Sequence, residues 1–316
     1  MSKPVKLEFL STDWGKNWIK LLVVKKEEGK QFIKEMEVST SLTLENRRDY
    51  TVADNSEVIA TDSQKNIVHV LAKQHLIQSI EGFAMLLCSH FLTTYPQLVS
   101  TKIKIEECPW KRMEINDEMH IHAFQYVKDC VRVCEVSQNR NEQPIVCSGI
   151  RELRVLKTTQ SAFKGFVDDE YRTLPYSDDR IFSSVISANW WYGSCFRFDF
   201  DTIWQTVKKT LLEGFAGPAD KGVFSANVEN TLYETAKTAL SKIPQIKQME
   251  ITLPNKHYFE VDFSKFPKLD FDGCFNRESP FRQWVPRLSI ESFWQQGSFR
   301  PEGLNLGLDP SEIWWQ

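Results

Sequence analysis

"VIATDSQ", residues 58–64, has a faint echo in "VLKTTQS", residues 155–161, with a valine and a threonine in matching places. Both halves of the chain also run in the same order, from strand-like to helical and back to strand-like sequence. Recurrence of one element order within a chain is typical of a duplicated unit. The sequence therefore predicts an α+β protein built from two antiparallel repeats, each a sheet flanked by helices.

The predicted elements are clearest at the turns and on the helical faces. A charged turn at Gly29 joins two strand-like runs into a hairpin, and alternation also predicts a strand over Ile67–Lys73. Apolar residues at helical spacing predict one helix over about 76–91 and two more over about 202–215 and 227–241. Each half thus contains both strands and helices.

The polar stretch "SQNRNEQPI", residues 137–145, is the best candidate for a linker between the repeats. We therefore place the first repeat at residues 1–142 and the second at residues 143–268. Residues 269–316 contain many aromatic residues and prolines. This segment is interpreted as a packed extension or a partner contact rather than a catalytic part.

Composition narrows the class of protein. The 316 residues are 41% hydrophobic, as in a folded chain, and the formal charge is −3. This balance argues against a nucleic-acid or anionic-membrane partner. The seven cysteines include no CxxC pair, and no apolar run has the length of a membrane span or the form of a signal peptide. We expect a soluble intracellular protein with reduced thiols.

Several polar residues are candidates for chemistry, but each has a simpler structural explanation when taken alone. Lys16 can be a solvated surface lysine, Thr61 a turn hydroxyl, and His257 a core histidine with a satisfied ring. His120 and His122 point the same way on a strand, as metal ligands would, but the sequence suggests no third ligand. No metal is therefore expected.

Taken together, five motifs occur in an order and at spacings that resemble urate oxidase, the cofactor-free enzyme of purine breakdown. They are "WGK" (14–16), "YTVADNSEVIATDSQKN" (50–66), "HAF" (122–124), "FKGFVDDEYRTLPYSDDRI" (163–181) and "LPNKHYFEVD" (253–262). The resemblance covers about residues 10 to 265. It implies the tunnelling fold, in which each chain carries two repeats and four identical chains surround a central tunnel.

The resemblance implies a proton relay in which Lys16 is the base and acts through the Thr61 hydroxyl. A lysine can do this only where burial or a neighbouring cation favours its neutral amine. His257 would order the lysine and a water molecule, and Asn255 would hold dioxygen or peroxide above the ring. No metal or flavin is implied. The electron-rich substrate reduces O2 itself, giving 5-hydroxyisourate and hydrogen peroxide.

The remaining implied site residues bind a flat oxopurine. Phe163 would stack under the ring, Arg180 would clamp one edge with its planar fork of donors, and Asp62 would bind through its backbone amide. Leu174 and Val228 would line the pocket. In the family the relay comes from one subunit and the stacking Phe and Arg from its neighbour, so the site would exist only in the oligomer.

Glu229 departs from the family pattern, which has a glutamine at this position. Glutamine offers a donor and an acceptor to the C6 carbonyl and N1–H of urate, whereas an ionised glutamate offers acceptors only. Either urate remains the substrate, or Glu229 selects a purine with adjacent donors, such as 8-oxoguanine. The first turn of a helix favours the ionised carboxylate and so the second alternative.

Two further expectations complete the sequence-based interpretation. A non-catalytic purine-binding protein would be expected to lack Lys16, Thr61 or His257, and all three are present. The chain ends in Trp-Trp-Gln rather than in a Ser-Lys-Leu-type address. The cytosol is therefore the default location, and peroxisomal entry by another route stays open.

Overall fold

The structure is a computed structural model that describes residues 7–193, 198–261, 265, 275–276 and 286–292. Five helices occur in these residues: α1 (Arg48–Val52), α2 (Thr61–Gln74), α3 (Ile80–Thr94), α4 (Phe200–Ala216) and α5 (Val228–Lys242). The strands before residue 140 are β1 (Trp14–Glu27), β2 (Lys30–Leu44), β3 (Leu98–Glu107), β4 (Trp110–Ile115), β5 (Glu118–Tyr126) and β6 (Val131–Asn139). The later strands are β7 (Ile145–Lys157), β8 (Phe182–Tyr192), β9 (Ile246–Thr252), β10 (Asn255–Lys256), β11 (Phe259–Glu260), β12 (Phe275–Asn276) and β13 (Arg287–Glu291).

Most of the described strands form one antiparallel sheet, with the strand order β1-β2-β3-β6-β7-β8-β9-β13 and with β10 paired to β8. Apart from the short helix α1 in the first half and the short strands, the two halves repeat the order strand, strand, helix, helix, strand, strand. In each half a separate two-stranded antiparallel pair, β4 with β5 or β11 with β12, precedes the last strand. The predicted α+β fold with two antiparallel repeats is therefore confirmed. The echo that suggested it does not mark equivalent positions, because Thr61 begins a helix and Thr158 follows a strand.

The strand predicted over Ile67–Lys73 is wrong, since these residues lie within α2. The buried positions of α2 are Gln64, Val68, Leu71 and Ala72, which follow helical spacing, and Asp62 lies in the first turn. The period-2 alternation of Val68, Val70 and Ala72 concealed this pattern. The correction matters for function because it places Thr61 and Asp62 at a helix start rather than in a turn before a strand.

The stretch predicted as a linker is a tight hairpin within the sheet. β6 ends at Asn139, β7 begins at Ile145, and Ser137 pairs with Ile145. The two repeats are therefore joined edge to edge by continuous strand pairing. At the other end, β13 lies beyond residue 268 and pairs with β9 over its whole length. The sheet thus extends into the segment that the sequence-based boundaries treat as a separate extension.

The two faces of the sheet differ in polarity. The helices cover one face, where residues such as Met36, Val38, Leu42 and Ile103 are fully buried. The other face carries cross-strand ion pairs, among them Lys20–Glu37 and Lys104–Glu135. Antiparallel sheets commonly have one solvated face. This polar face is therefore the solvent-facing side of the sheet in the described chain.

A buried ionic cluster joins the two repeats beneath the helices. Glu81 of α3, which is 0% exposed, accepts hydrogen bonds from Arg132 Nη2 (2.8 Å) and Ser148 Oγ (2.6 Å). Arg132 Nη1 also contacts Asp201 Oδ1 of α4 at 2.6 Å. Burial alone would lower the pKa of Arg132, but Glu81, Glu107 and Asp201 raise it above its usual value. The guanidinium therefore stays charged and links α3 to α4.

Candidate active site

The strand that carries Lys16 is tied to the start of α2 by buried polar contacts. The Lys16 backbone N–H donates to Thr40 Oγ1 at 3.1 Å, and the Thr40 hydroxyl donates to Gln64 Oε1 at 2.6 Å. Gln64 is fully buried and donates through Nε2 to the carbonyl of Ile59 at 3.0 Å. These contacts fix the position of β1 relative to the helix start that carries Thr61.

Thr61 and Asp62 are the first two residues of α2, and both are exposed, as is Lys16. Asp62 accepts from Lys65 Nζ at 2.7 Å. This hydrogen bond and the Lys65 charge lower the pKa of Asp62, and the Lys16 charge contributes in the same direction. Lys16, Thr61 and Asp62 therefore form one cluster, which we call the relay cluster.

Phe163 and Arg180 belong to an irregular segment that is held by backbone pairing. Phe163 and Ser177 exchange backbone hydrogen bonds of 2.9 and 3.1 Å, and the Arg180 N–H donates to the Ser161 carbonyl at 2.8 Å. The Arg180 guanidinium carbon lies 5.1 Å from the Phe163 ring centroid. A flat ligand at this place can therefore stack on an aromatic ring and meet a planar set of donors.

Electrostatic contacts connect Arg180 to Glu229 and His257. Burial lowers the pKa of Arg180, and the Glu229 charge opposes this shift. Burial also lowers the pKa of His257, with a smaller contribution from the Arg180 charge. Among the described residues, Arg180 Nε is a buried donor without a hydrogen-bond partner. An unpaired buried donor is costly and indicates a place where a ligand acceptor would be stabilised.

The other predicted binding residues lie around this group. Val228 and Glu229 open α5 behind the cap Asn227, whose side chain accepts from the Asn230 N–H; Val228 is buried and Glu229 is exposed. Asn255 is 6% exposed and pairs with Ser184 of β8. We call Phe163, Arg180, Glu229, Asn255 and His257 the purine cluster. Leu174 lies in the same irregular segment as Phe163 and Arg180, and it is exposed.

Within one chain, strand register separates the two clusters. Lys16 lies on β1, five strand spacings from β8, which is about 24 Å across a sheet. The residues paired with Lys16 from strand to strand are, in order, Thr40, Ile103, Val136 and Val146. This row of paired residues reaches β8 at its Trp191 end. Asn255 pairs instead with Ser184, seven residues and about 23 Å further along that strand. One chain therefore does not bring Lys16 to Asn255.

A scan of the chain against family models matches the uricase model over residues 14–137 and 146–282. The chain belongs to the uricase family. It is accordingly an enzyme of the urate oxidase class. The break in the match coincides with the β6–β7 hairpin, where one uricase repeat passes into the next.

Curated relatives and a solved structure agree with the uricase family. The uricase of Oryctolagus cuniculus is 45% identical over 272 residues, which cover 86% of this chain and 89% of the relative. The uricase of Danio rerio is 42% identical over 259 residues, with coverage of 82% and 87%. A crystal structure of uricase from Arthrobacter globiformis matches with a TM-score of 0.84 and 29% identity, covering 94% of this chain and 99% of that one. The fold is therefore the tunnelling fold of the uricases.

Other chemistry suggested by single residues finds no support in the described part of the uricase-family chain. No group of three or more His, Cys, Asp or Glu side chains that could hold a metal ion occurs there. His120 Nδ1 accepts from the backbone N–H groups of His122 (3.2 Å) and Ala123 (2.9 Å), which leaves the ring proton on Nε2, the other possible ligand atom. Over the same residues, no helix has both the length and the apolar character needed to cross a membrane.

Sequence reasoning missed the polar link between Thr40 and Gln64 behind the relay cluster. Thr40 lies on β2, 24 residues before Gln64. Neither residue is unusual for its element, and the sequence contains no signal that brings them together. Gln64 lies within the motif "YTVADNSEVIATDSQKN" of the uricase resemblance, but the motif does not reveal that its side chain is buried against β2.

Proposed function

We propose that the protein oxidises urate with O2 and water to 5-hydroxyisourate and hydrogen peroxide without a resident cofactor. Urate loses two electrons and a hydroxyl group is added at C5, while O2 gains two electrons and two protons. The main structural support is the Arg180 guanidinium, whose central carbon lies 5.1 Å from the Phe163 ring centroid and whose charge acts on His257. This arrangement combines a flat platform with directional donors for an oxopurine edge.

The residue roles follow the chemistry of the two clusters. Lys16 takes a proton from the substrate through Thr61, and His257 orders the relay. The lowered pKa of His257 keeps its imidazole neutral near pH 7, so that it can accept one proton and donate another. Asp62 binds the ring through its backbone amide, Asn255 holds oxygen above it, and Leu174 and Val228 line the pocket. Orientation and exclusion of water lower the barrier.

The active site requires two chains, because the relay and purine clusters of one chain lie far apart. We assign the relay cluster of one chain to the purine cluster of its neighbour in a homotetramer. The long edge strand β1 supports this assembly. Among the described strands it pairs with β2 alone, and Trp18, Leu22 and Val24 on it are exposed. Unpaired strand edges with exposed apolar residues favour pairing with another chain.

Complementation between two inactive variants tests this shared site. Lys16→Met removes the relay and Arg180→Ala removes the clamp, so each variant alone should be inactive. In an isologous pair of unlike chains, one of the two shared sites combines an intact Lys16 with an intact Arg180. Random mixing makes about half of the pairs unlike, so about a quarter of all sites should be active. Steady-state rates of the co-expressed variants measure this. If the co-expressed mixture is as inactive as each parent, the site is not shared between chains.

Glu229 supports a second candidate substrate, an amino-8-oxopurine such as 8-oxoguanine. Glu229 is exposed in the first turn of α5, near the positive end of the helix dipole, and its charge interacts with that of Arg180. A carboxylate pairs with two adjacent donors, such as N1–H beside an exocyclic amino group. It does not match the carbonyl and N–H of urate.

Replacing Glu229 by Gln tests which purine the site selects. We expect kcat/KM for urate to rise and that for 8-oxoguanine to fall, each by about tenfold, because a hydrogen-bonding group that a bound purine covers without matching costs ~1–3 kcal/mol. Oxygen uptake with each purine measures the exchange. Glu234→Gln, at an exposed position on the same helix, is the matched control. If Glu229→Gln changes neither specificity constant, Glu229 does not contact the purine edge.

A further inference from the structure

A cluster of rings and one cation lies behind Phe163, in a segment without regular secondary structure. The Phe166 ring stacks on Phe163, with centroids 4.8 Å apart and planes 24° apart. The Tyr176 ring meets Phe166 edge-on at 5.0 Å, and the Arg172 guanidinium carbon lies 4.3 Å from the Tyr176 centroid. We call Phe166, Tyr176 and Arg172 the ring support.

Backbone and polar contacts fix the ring support itself. The Tyr176 hydroxyl donates to the Phe166 carbonyl at 3.3 Å, and the Phe163–Ser177 backbone pair brings the two ends of the segment together. Arg172 also contacts the Phe166 ring at 5.5 Å and pairs with Asp168 at 3.2 Å. Phe166 therefore has partners besides Phe163 and does not depend on a ligand for its position.

Stacking limits how Phe163 can meet a ligand. Phe166 covers one face of the Phe163 ring, so a flat heterocycle would have to stack on the opposite face. A half-buried ring in an irregular segment would otherwise rotate among several orientations, and ordering it on binding would reduce affinity. With the support in place, the ring plane is set before the ligand arrives.

We propose that Phe166, held by Tyr176 and Arg172, is a positioning residue that fixes the plane of Phe163 and thereby the face on which the purine stacks. This inference rests on the proposed function, in which Phe163 is the stacking platform. Phe166 acts through Phe163 and does not touch the reacting atoms. Its contribution is the same in the ground state and in the transition state, and it belongs to binding rather than to the chemical step.

Kinetics of Phe166 variants test the proposal. Phe166→Ala should raise KM for urate about threefold to tenfold, the range expected for loss of one aromatic pair, and should leave kcat nearly unchanged. The Kd for xanthine, a purine that lacks the 8-oxo group, should rise by the same factor. Phe166→Tyr keeps the stacked ring and should restore both values. Tyr171→Ala, a neighbouring ring that is 81% exposed, is the matched control and should behave as wild type.

The outcomes separate this proposal from the function on which it rests. An unchanged KM and Kd in Phe166→Ala, with wild-type turnover of urate or 8-oxoguanine, overturns the positioning role and leaves the function standing. A fall in kcat or in the active fraction with unchanged KM, not restored by Phe166→Tyr, makes Phe166 a folding residue and also overturns it. A wild-type protein that neither binds nor oxidises either purine overturns both.

Discussion

Replacing Lys16 by Met should lower kcat by about 10²–10⁴-fold, the contribution typical of a positioned general base. Lys16 lies at the start of β1, beside the helix that opens with Thr61 and Asp62, and its charge reaches Asp62. Methionine keeps most of the side-chain length but cannot take a proton. Because the purine cluster is unchanged, the Kd for xanthine should stay close to the wild-type value. Single-turnover rates and equilibrium binding measure the two effects separately.

Lys20→Met is the control for this experiment. Lys20 lies on the same strand and pairs with Glu37 at 3.7 Å across the polar face of the sheet. Its replacement removes a charge from β1 without removing the relay, and kcat should remain near wild type. If Lys16→Met keeps its activity, or if both variants lose it equally, Lys16 is not the base and the proposed mechanism fails.

Replacing Arg132 by Ala should lower the free energy of unfolding by about 3–5 kcal/mol, the cost of removing one partner of a buried ion pair. Glu81 would be left without its guanidinium partner inside the protein, with only Ser148 Oγ as a donor. Asp201 and Glu107 would also lose their Arg132 partner, although Glu107 would keep its pair with Lys34. Denaturant unfolding at a fixed protein concentration measures the change, because assembly makes apparent stability depend on concentration.

Two further variants show whether the charge cluster causes the effect. Lys237→Met breaks the exposed Lys237–Glu234 pair on α5 and should cost less than about 1 kcal/mol. The double variant Arg132→Met with Glu81→Leu removes both charges and should recover much of the stability lost in Arg132→Ala. A change of less than about 1 kcal/mol in Arg132→Ala would mean that the cluster does not hold the two repeats together.

The sequence predicted the elements whose signals are local. Gly29 marks the first hairpin, and the apolar stripe behind Asn227 marks α5 to within one residue. Strand β8 was missed because Ser183 and Ser184, which are adjacent and so point to opposite faces of the strand, interrupt its apolar pattern. In the structure these hydroxyls donate to the carbonyls of Val155 and Pro254.

The sequence predicted which residues belong to the site, but not where the relay and purine clusters lie relative to each other. Motif order identifies the uricase family and the residues proposed to carry its chemistry, yet Lys16 and Asn255 lie in different halves of one sheet. In the proposed assembly their meeting depends on a second chain, which no spacing along one sequence reveals. The Glu81–Arg132 pair is hidden for a related reason, since its partners are 51 residues apart and packing alone joins them.

The buried ionic cluster of Glu81, Arg132 and Asp201 occupies positions that correspond to those of Glu229 and Asp62 in the proposed ligand site. Glu81 and Glu229 are each the second residue of the last helix of their repeat, and Asp62 and Asp201 are each the second residue of the helix before it. Within one chain, the Arg132 guanidinium lies between Glu81 and Asp201 and pairs with both. If neighbouring chains meet as proposed, Glu229 of one chain faces Asp62 of the next. A planar ligand then occupies the place that Arg132 fills within each chain.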